Sequence, residues 1–331
     1  MYVGVDYHKR YSVATIMDEA GAILSQQRVS NDPDTLRQFA AQLPAGSTIA
    51  LEATGSWYYF YEVLENSGAD IRLAHPLKTR AIAEARIKTD KIDATMLAHL
   101  LRADLLPSAY IPPREIRDSR EILRYRASLV ALRSSLKNKV HAILSKNGIS
   151  IKYSDIFGKK ALRYLNKLEL RPCYRLGLDG YCRLAELLSI LIAEVTERIK
   201  EIVTDNPQAV LLTSIPGISY YSALLILSEI GDVYRFPTAR KLCAYAGVVP
   251  SVHSSGGKTW HGSITKQGSR WLRWILIELS HHFARSCERL GRMYARISHK
   301  HGKNTARVAV AREMLKIIYY MLRDNRAFVR G

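Results

Sequence analysis

Ile87-Lys88-Thr89-Asp90-Lys91-Ile92-Asp93-Ala94 sets two carboxylates three residues apart, just ahead of the apolar run Met96-Leu97-Ala98-His99-Leu100-Leu101. The pattern predicts a helix over 90–104. Residues i and i+3 share a helix face, so Asp90 and Asp93 point the same way. Acids in a first turn also suit the positive end of the helix dipole. Alone, the stretch reads as a well-started helix. Its meaning changes with what lies upstream. Residues 2–6, Tyr-Val-Gly-Val-Asp, read as a short buried strand ending in Asp6, and residues 48–53 as an apolar strand with Glu52 at its end. Acids gathered from two strand ends and a helix start can hold Mg²⁺ or Mn²⁺, cations that prefer oxygen ligands. Such metals stabilise the attacking and leaving oxygens of an in-line phosphoryl displacement. Taken singly, Asp6 and Glu52 also fit as strand-end acids in turns. Glu52 fits that reading less well, because it sits among apolar and small residues and a buried acid without a partner is costly.

Working outward, residues 11–17 and 22–30 read as two more strands, completing an antiparallel meander. Asn31 or Asp32 caps a helix through Leu43. An aromatic-rich helix is expected over 55–66, a strand over 70–74 and a helix over 77–86, giving a mixed α/β sheet. Pro107, Pro112 and Pro113 mark a boundary. Residues 115–147 form a long basic helical pattern with Leu123, Leu129, Leu132, Leu136 and Ile143 at helical spacing. Residues 148–180 are less regular, and 184–203 read as a second long helix. Together they predict a helical arm with a coiled-coil-like seam. Beyond it come an apolar helix over 221–230, a helix from Pro237 towards Gly247, a Gly/Ser/His-rich loop over 248–268, and helices over 270–296 and 305–323. Three domains are expected: 1–106, 107–205 and 206–331.

The 331 residues carry a formal charge of +19. Residues 1–106 hold 11 Lys+Arg against 13 Asp+Glu, residues 107–205 hold 19 against 11, and residues 206–331 hold 19 against 6. The region with the paired acids is the only one that is not basic. A basic remainder is the usual footprint of a nucleic-acid partner. No apolar run approaches the roughly 18 residues of a membrane helix, so no membrane association is expected. Charged residues interrupt the first ten positions, unlike a signal peptide. Cys173, Cys182, Cys243 and Cys287 form no C-x-x-C pair. They read as reduced thiols of a cytoplasmic protein, and the expected nucleic-acid partner makes it nucleoid-associated.

Two further constellations carry chemistry. Ser254-Ser255-Gly256-Gly257-Lys258 offers a serine nucleophile, glycines that let backbone approach phosphate, and a cation. Composition alone does not separate Ser254 from Ser255, nor this stretch from a flexible linker. Arg285, Arg289, Arg292 and Arg296 recur as one helical stripe, preceded by Lys266, Arg270 and Arg273 with Trp271 and Trp274 interleaved. With few acids nearby, this stripe and Lys258 suit phosphate backbones. Ile215-Pro216-Gly217-Ile218 is similar to the hairpin of helix-hairpin-helix DNA-binding modules. His282-Phe283-Ala284-Arg285 with Tyr294 has the form of a tyrosine recombinase site, but leaves the acids unexplained.

In order, Val3-Gly4-Val5-Asp6, Leu51-Glu52-Ala53-Thr54-Gly55, Lys88-Thr89-Asp90-Lys91-Ile92-Asp93-Ala94, Ile215-Pro216-Gly217-Ile218 and Ser255-Gly256 resemble the DEDD transposases of bacterial insertion sequences, relatives of the Piv DNA invertases and the bridge-RNA-guided recombinases. The resemblance spans almost the whole chain. It implies an α/β RNase H-like (RuvC-like) N-terminal domain, a long helical arm, and a mostly α-helical C-terminal transposase domain. It places Mg²⁺, or Mn²⁺, on Asp6, Glu52, Asp90 and Asp93. Ser255 would attack DNA and form a phosphoserine link. It further implies a homo-oligomer, dimer or tetramer, in which different protomers supply the two domains. A structured guide RNA would pair with target and donor DNA. The alternative is a RuvC-like, metal-dependent, structure-specific endonuclease whose nucleophile is water. A nucleic-acid-binding protein with an inactive catalytic fold is a third reading, which the intact acid quartet opposes.

Overall fold

The computed structural model describes residues 1–53, 55, 57–65, 67–82 and 89–329. The chain divides into two compact units, Met1–Ile111 and Pro112–Gly331. Thr54, Ile87 and Lys88 of the sequence motifs, and the end of the helix expected over 77–86, lie outside the described residues.

In the first unit, β1 (Tyr2–Tyr7), β2 (Tyr11–Met17) and β3 (Ile23–Ser30) form the expected meander. They are followed by α1 (Pro33–Ala41), β4 (Thr48–Glu52), α2 (Trp57–Leu64), β5 (Asp70–Ala74), α3 (Pro76–Ile82), α4 (Asp90–Arg102) and β6 (Ser108–Ala109). The sheet order is β3-β2-β1-β4-β5-β6. β4 runs parallel to both β1 and β5, while β6 pairs antiparallel with β5. Asp32 is the cap of α1, its carboxylate accepting from Thr35 N at 2.9 Å.

Side chains alternate across a strand. Val3, Val5 and Tyr7 therefore join Ile49 and Leu51 on one face, in a core closed by Leu36 and Phe39 of α1 and Phe60 and Leu64 of α2. On the other face, Ala50 and Ala74 pack with Leu97 and Leu101 of α4, flanked by Tyr2. Gly4 lies on that face. A Cβ there would stand 1.9 Å from the Ala94 carbonyl oxygen and 2.5 Å from Ala98 N. Only a residue without a side chain lets α4 lie this close to β1.

In the second unit, α5 (Arg114–Lys146) and α7 (Pro172–Thr204) are 33-residue helices joined through α6 (Lys159–Asn166). At 1.5 Å per residue each is about 50 Å long. Then follow α8 (Pro207–Thr213), α9 (Tyr220–Ile230), α10 (Ala239–Tyr245), β7 (Pro250–Ser255), β8 (Lys258–Ile264), α11 (Arg270–Ser286), α12 (Glu288–His301) and α13 (Lys303–Asp324). Leu123, Ile199 and Val203 root the arm in the main core, which α9, α10, α11 and α13 complete with Leu225, Leu242, Leu276 and Leu315. A separate small core of Val140, Leu144, Ile156, Leu165 and Leu178 holds the far end.

Three expectations change here. α7 begins at Pro172, not at residue 184. Gly177 and Gly180 weaken the local helix signal, but Leu178, Tyr181 and Cys182 pack into the far core and override it. The stretch 248–268 contains the β7–β8 hairpin instead of a continuous loop. Gly256 and Gly257, with φ of +55° and +75°, make the two-residue turn. The helix expected over 270–296 is two helices, broken at Cys287, whose backbone is extended. The break lets Phe283, Cys287 and Leu290 all reach one core.

Candidate active site

Asp6 and Glu52 end adjacent parallel strands. Val5 pairs with Leu51, so the two acids follow in step. Both alternate onto the face that α4 covers. Thr89 caps α4 and accepts from Ile92 N at 3.3 Å. That cap starts the helix so that Asp90 and Asp93 fall in its first turn, while Ala94, Leu97, Ala98 and Leu101 bury towards the sheet. Two strand ends and one capped helix thus carry the four acids.

The atoms converge. Asp6 has a side chain only 13% exposed, and its Oδ2 lies 3.2 Å from His8 Nε2. Asp90 Oδ2 lies 3.0 Å from the same nitrogen. One ligand atom from each of Asp6, His8 and Asp90 lies within 4.8 Å of the others. Burial pushes the Asp6 carboxyl above the ordinary carboxylate range; His8 opposes this, while Asp90, Asp93 and Glu52 add to it. The other three acids named from the sequence thus all bear on the Asp6 carboxyl. Tyr11 donates its hydroxyl to Asp90 Oδ2 at 3.1 Å, which raises the phenol's own pKa. Arg28 stacks on the Tyr11 ring at 3.7 Å.

His8 and Tyr11 were missed in the sequence. The signal for His8 was present: Asp6-x-His8 puts both on one face of a strand, while Tyr7 turns into the opposite core against Phe60. Tyr11 gave none, since its role depends on the β1–β2 turn. The centre fits a divalent cation by its donor set and by one buried nitrogen that makes no hydrogen bond. His8 Nε2 is enclosed yet makes no hydrogen bond, although two carboxylate oxygens stand near it. The geometry brings two carboxylate oxygens and an imidazole nitrogen close together.

Ser255 is exposed at the end of β7, directly opposite Lys258 across the turn. Paired residues share a face, so Ser255 lies with Lys258, His253 and Trp260. Ser254 lies on the other face, its hydroxyl 3.3 Å from that of Thr259. The structure thus separates two serines that composition left equivalent. Arg273 donates to the carbonyls of Ala246 and Gln267, bracing the base of this hairpin. Lys266 sits at the same base with φ of +53°, and Arg270 is exposed on the first turn of α11. Arg285 belongs to α11 and Arg289, Arg292 and Arg296 to α12, so the expected single stripe spans two helices. All four arginines are exposed. Arg292 is 3.5 Å from Glu288.

The acids belong to the first unit and the serine to the second. Comparison with known proteins follows the same division. A DEDD transposase family model of the IS110 type matches residues 3–147. A second, described as transposase IS116/IS110/IS902 family, matches residues 209–296. The transposase for insertion sequence element IS1111A of Coxiella burnetii is 26% identical, across 99% of this chain and 91% of its own length. The transposase for insertion sequence element IS1328 of Yersinia enterocolitica is 26% identical, across 98% of both. One family model thus falls on the acid-bearing region and the other on the serine hairpin, with relatives aligned end to end, and the chain belongs to the DEDD-type IS110 family of insertion-sequence transposases.

Proposed function

We propose that the protein cuts and rejoins DNA at the ends of its insertion sequence through a covalent serine–phosphate link. The observation that carries the reading is the convergence of Asp6, His8 and Asp90, with Glu52 and Asp93 close enough to shift the Asp6 carboxyl. Asp6, Glu52, Asp90 and Asp93 would hold Mg²⁺, or Mn²⁺, with His8 beside them. The bound cation would supply Lewis-acid stabilisation of charge on the phosphate oxygens. Three antiparallel strands followed by parallel β4 and β5, with acids at the ends of β1 and β4, support the RNase H-like assignment of the first unit.

Ser255 Oγ attacks the scissile phosphorus, giving up its proton as the P–O bond to the departing strand breaks and that strand leaves with a hydroxyl. One phosphodiester replaces another, so the strand can be rejoined by the reverse attack without a high-energy cofactor. Lys258, opposite Ser255, supplies positive charge to the incoming phosphate, and Arg285, Arg289, Arg292 and Arg296 hold the DNA backbone. The family resemblance supports target and donor DNA, a structured guide RNA, and a homo-oligomer as partners. In this division of labour, residues 1–106 carry the acids, 107–205 the arm, and 206–331 the serine.

The test is to denature a cleavage reaction and look for protein-linked DNA. The serine mechanism predicts an adduct that Ser255→Ala abolishes and Ser254→Ala retains. Cleavage with no adduct would make water the nucleophile and the protein a metal-dependent endonuclease.

A further inference from the structure

We propose that the far end of the α5–α7 arm is a second DNA-binding surface, built on α6 and directed at backbone phosphates. The first observation is where the arm keeps its charge. Residues 137–183 carry 11 Lys+Arg against 3 Asp+Glu, whereas the rest of 107–205 carries 8 against 8. The whole positive excess of the arm is therefore segregated at its end, and the shaft is neutral.

The second observation is how that end is built. Ala161 and Leu165 of α6 bury against Val140 and Leu144 of α5, Ile156, and Leu178 of α7. This small core fixes one face of α6 inward. Lys159, Lys160, Arg163 and Lys167 occupy the opposite face, all exposed, at spacings of one, three and four residues. α6 contains no acid. Two of the three acids nearby are already engaged. Asp155 pairs with Lys137 at 2.7 Å, and Arg175 Nε lies 3.0 Å from both Asp179 oxygens. Both carboxyls are held below the ordinary range by these hydrogen bonds. Neither is free to neutralise the α6 face.

A solvated lysine face is the ordinary fate of such a stripe. Three features argue for more: the segregation of charge, the dedicated core that orients it, and the mating of nearby acids with other cations. The segment from 148 to 171 also lies outside both matched family regions. The partner of this surface is duplex DNA, the polyanion that a transposase must hold over a length greater than its reaction centre.

The experiment uses the full chain carrying K159Q, K160Q, R163Q and K167Q together. Binding to duplex DNA is measured by fluorescence anisotropy across a salt series. Each lost phosphate contact on B-form DNA flattens the slope of log K against log salt by about 0.9. The expected result is a slope shallower by about 3 to 4, with weaker binding at low salt and an unchanged melting temperature. An unchanged slope and affinity overturns the proposal. So does a loss confined to a structured RNA probe, which would make RNA the partner, or a loss that accompanies a change in oligomeric state, which would make the surface a subunit contact. The inference rests on DNA being the substrate. Wild-type protein that forms a serine adduct but shows no effect of the four changes loses only this inference.

Discussion

At Gly4 a single methyl group would decide whether the acids meet. A Cβ there would enter the space of the Ala94 carbonyl oxygen at 1.9 Å, far inside any tolerated contact. The obstructing atom is backbone, so α4 itself must move, carrying Asp90 and Asp93 away from Asp6. Overpacking of this kind costs about 1–3 kcal/mol. Gly4→Ala should lower the melting temperature and weaken Mn²⁺ binding, measured by calorimetry and titration. Binding equal to wild type would show that α4 does not set the acid geometry. His8 gives a second prediction. Its Nε2 faces the acids without a hydrogen bond, and imidazole is a competent ligand for transition metals. Pulsed electron paramagnetic resonance of bound Mn²⁺ should show nitrogen coupling that His8→Ala removes. Manganese bound without that coupling would leave His8 as a neighbour that orients the carboxylates.

Helix termini and helix contacts carry predictions of their own. Glu229, near the end of α9, has a side chain only 6% exposed. Its carboxylate accepts from Ser269 at 2.8 Å and from Arg124 at 3.3 Å, with Arg120 Nε at 3.9 Å. Arg120 also donates twice to the Ser228 carbonyl, at 3.0 and 2.8 Å. Ser269 is the cap of α11 and lies on the short link between that helix and β8. One buried carboxylate thus ties the arm root to the segment that carries Ser255. Glu229→Ala should cost about 3–5 kcal/mol by leaving buried cations uncompensated. A urea midpoint equal to wild type would refute this. At the start of α1, the bond from Thr35 N lowers the Asp32 pKa to about 2. Because the folded value lies below the ordinary 3.8 of a free aspartate, this contribution is complete above that value and fades as pH falls towards about 2. A carboxyl titration by NMR should find it there. The elements that were legible in sequence are those whose signal is local. β1 and β2 followed from short apolar runs, and α4 from two acids three residues apart ahead of an apolar run, and the acids came with them. The hairpin was obscured because Ser, Gly and His residues resemble linker, although Gly256-Gly257 was a turn signal. The break at Cys287 left no Gly or Pro in place; it exists because Phe283 and Leu290 share a core that only the tertiary structure reveals.

At the scale of the whole molecule, the acids and the serine fall in separate compact units of one chain. The family resemblance implies that different protomers supply the two parts of each reaction centre. That arrangement has a consequence a single-site enzyme does not share. Asp90→Asn removes a carboxylate from one unit, and Ser255→Ala removes the nucleophile from the other. Each variant alone should form no adduct. In a mixed dimer with parts exchanged between protomers, one centre receives both defects and the other receives neither. Random mixing makes about half of such dimers mixed, so roughly a quarter of wild-type centres should return, in keeping with closed two-fold assembly. If each chain instead used its own acids with its own serine, every centre in every mixture would carry one defect and no activity would return. The measurement is the yield of protein-linked DNA after the two purified variants are exchanged by dilution and reassociation, with the wild type diluted by the double variant as the reference. Recovered adduct must sit on the chain that retains Ser255, the Asp90→Asn chain, and a size tag on that chain would show it directly. Adduct on the other chain would mean that another residue had acted as nucleophile, and the assignment of Ser255 would fall with it.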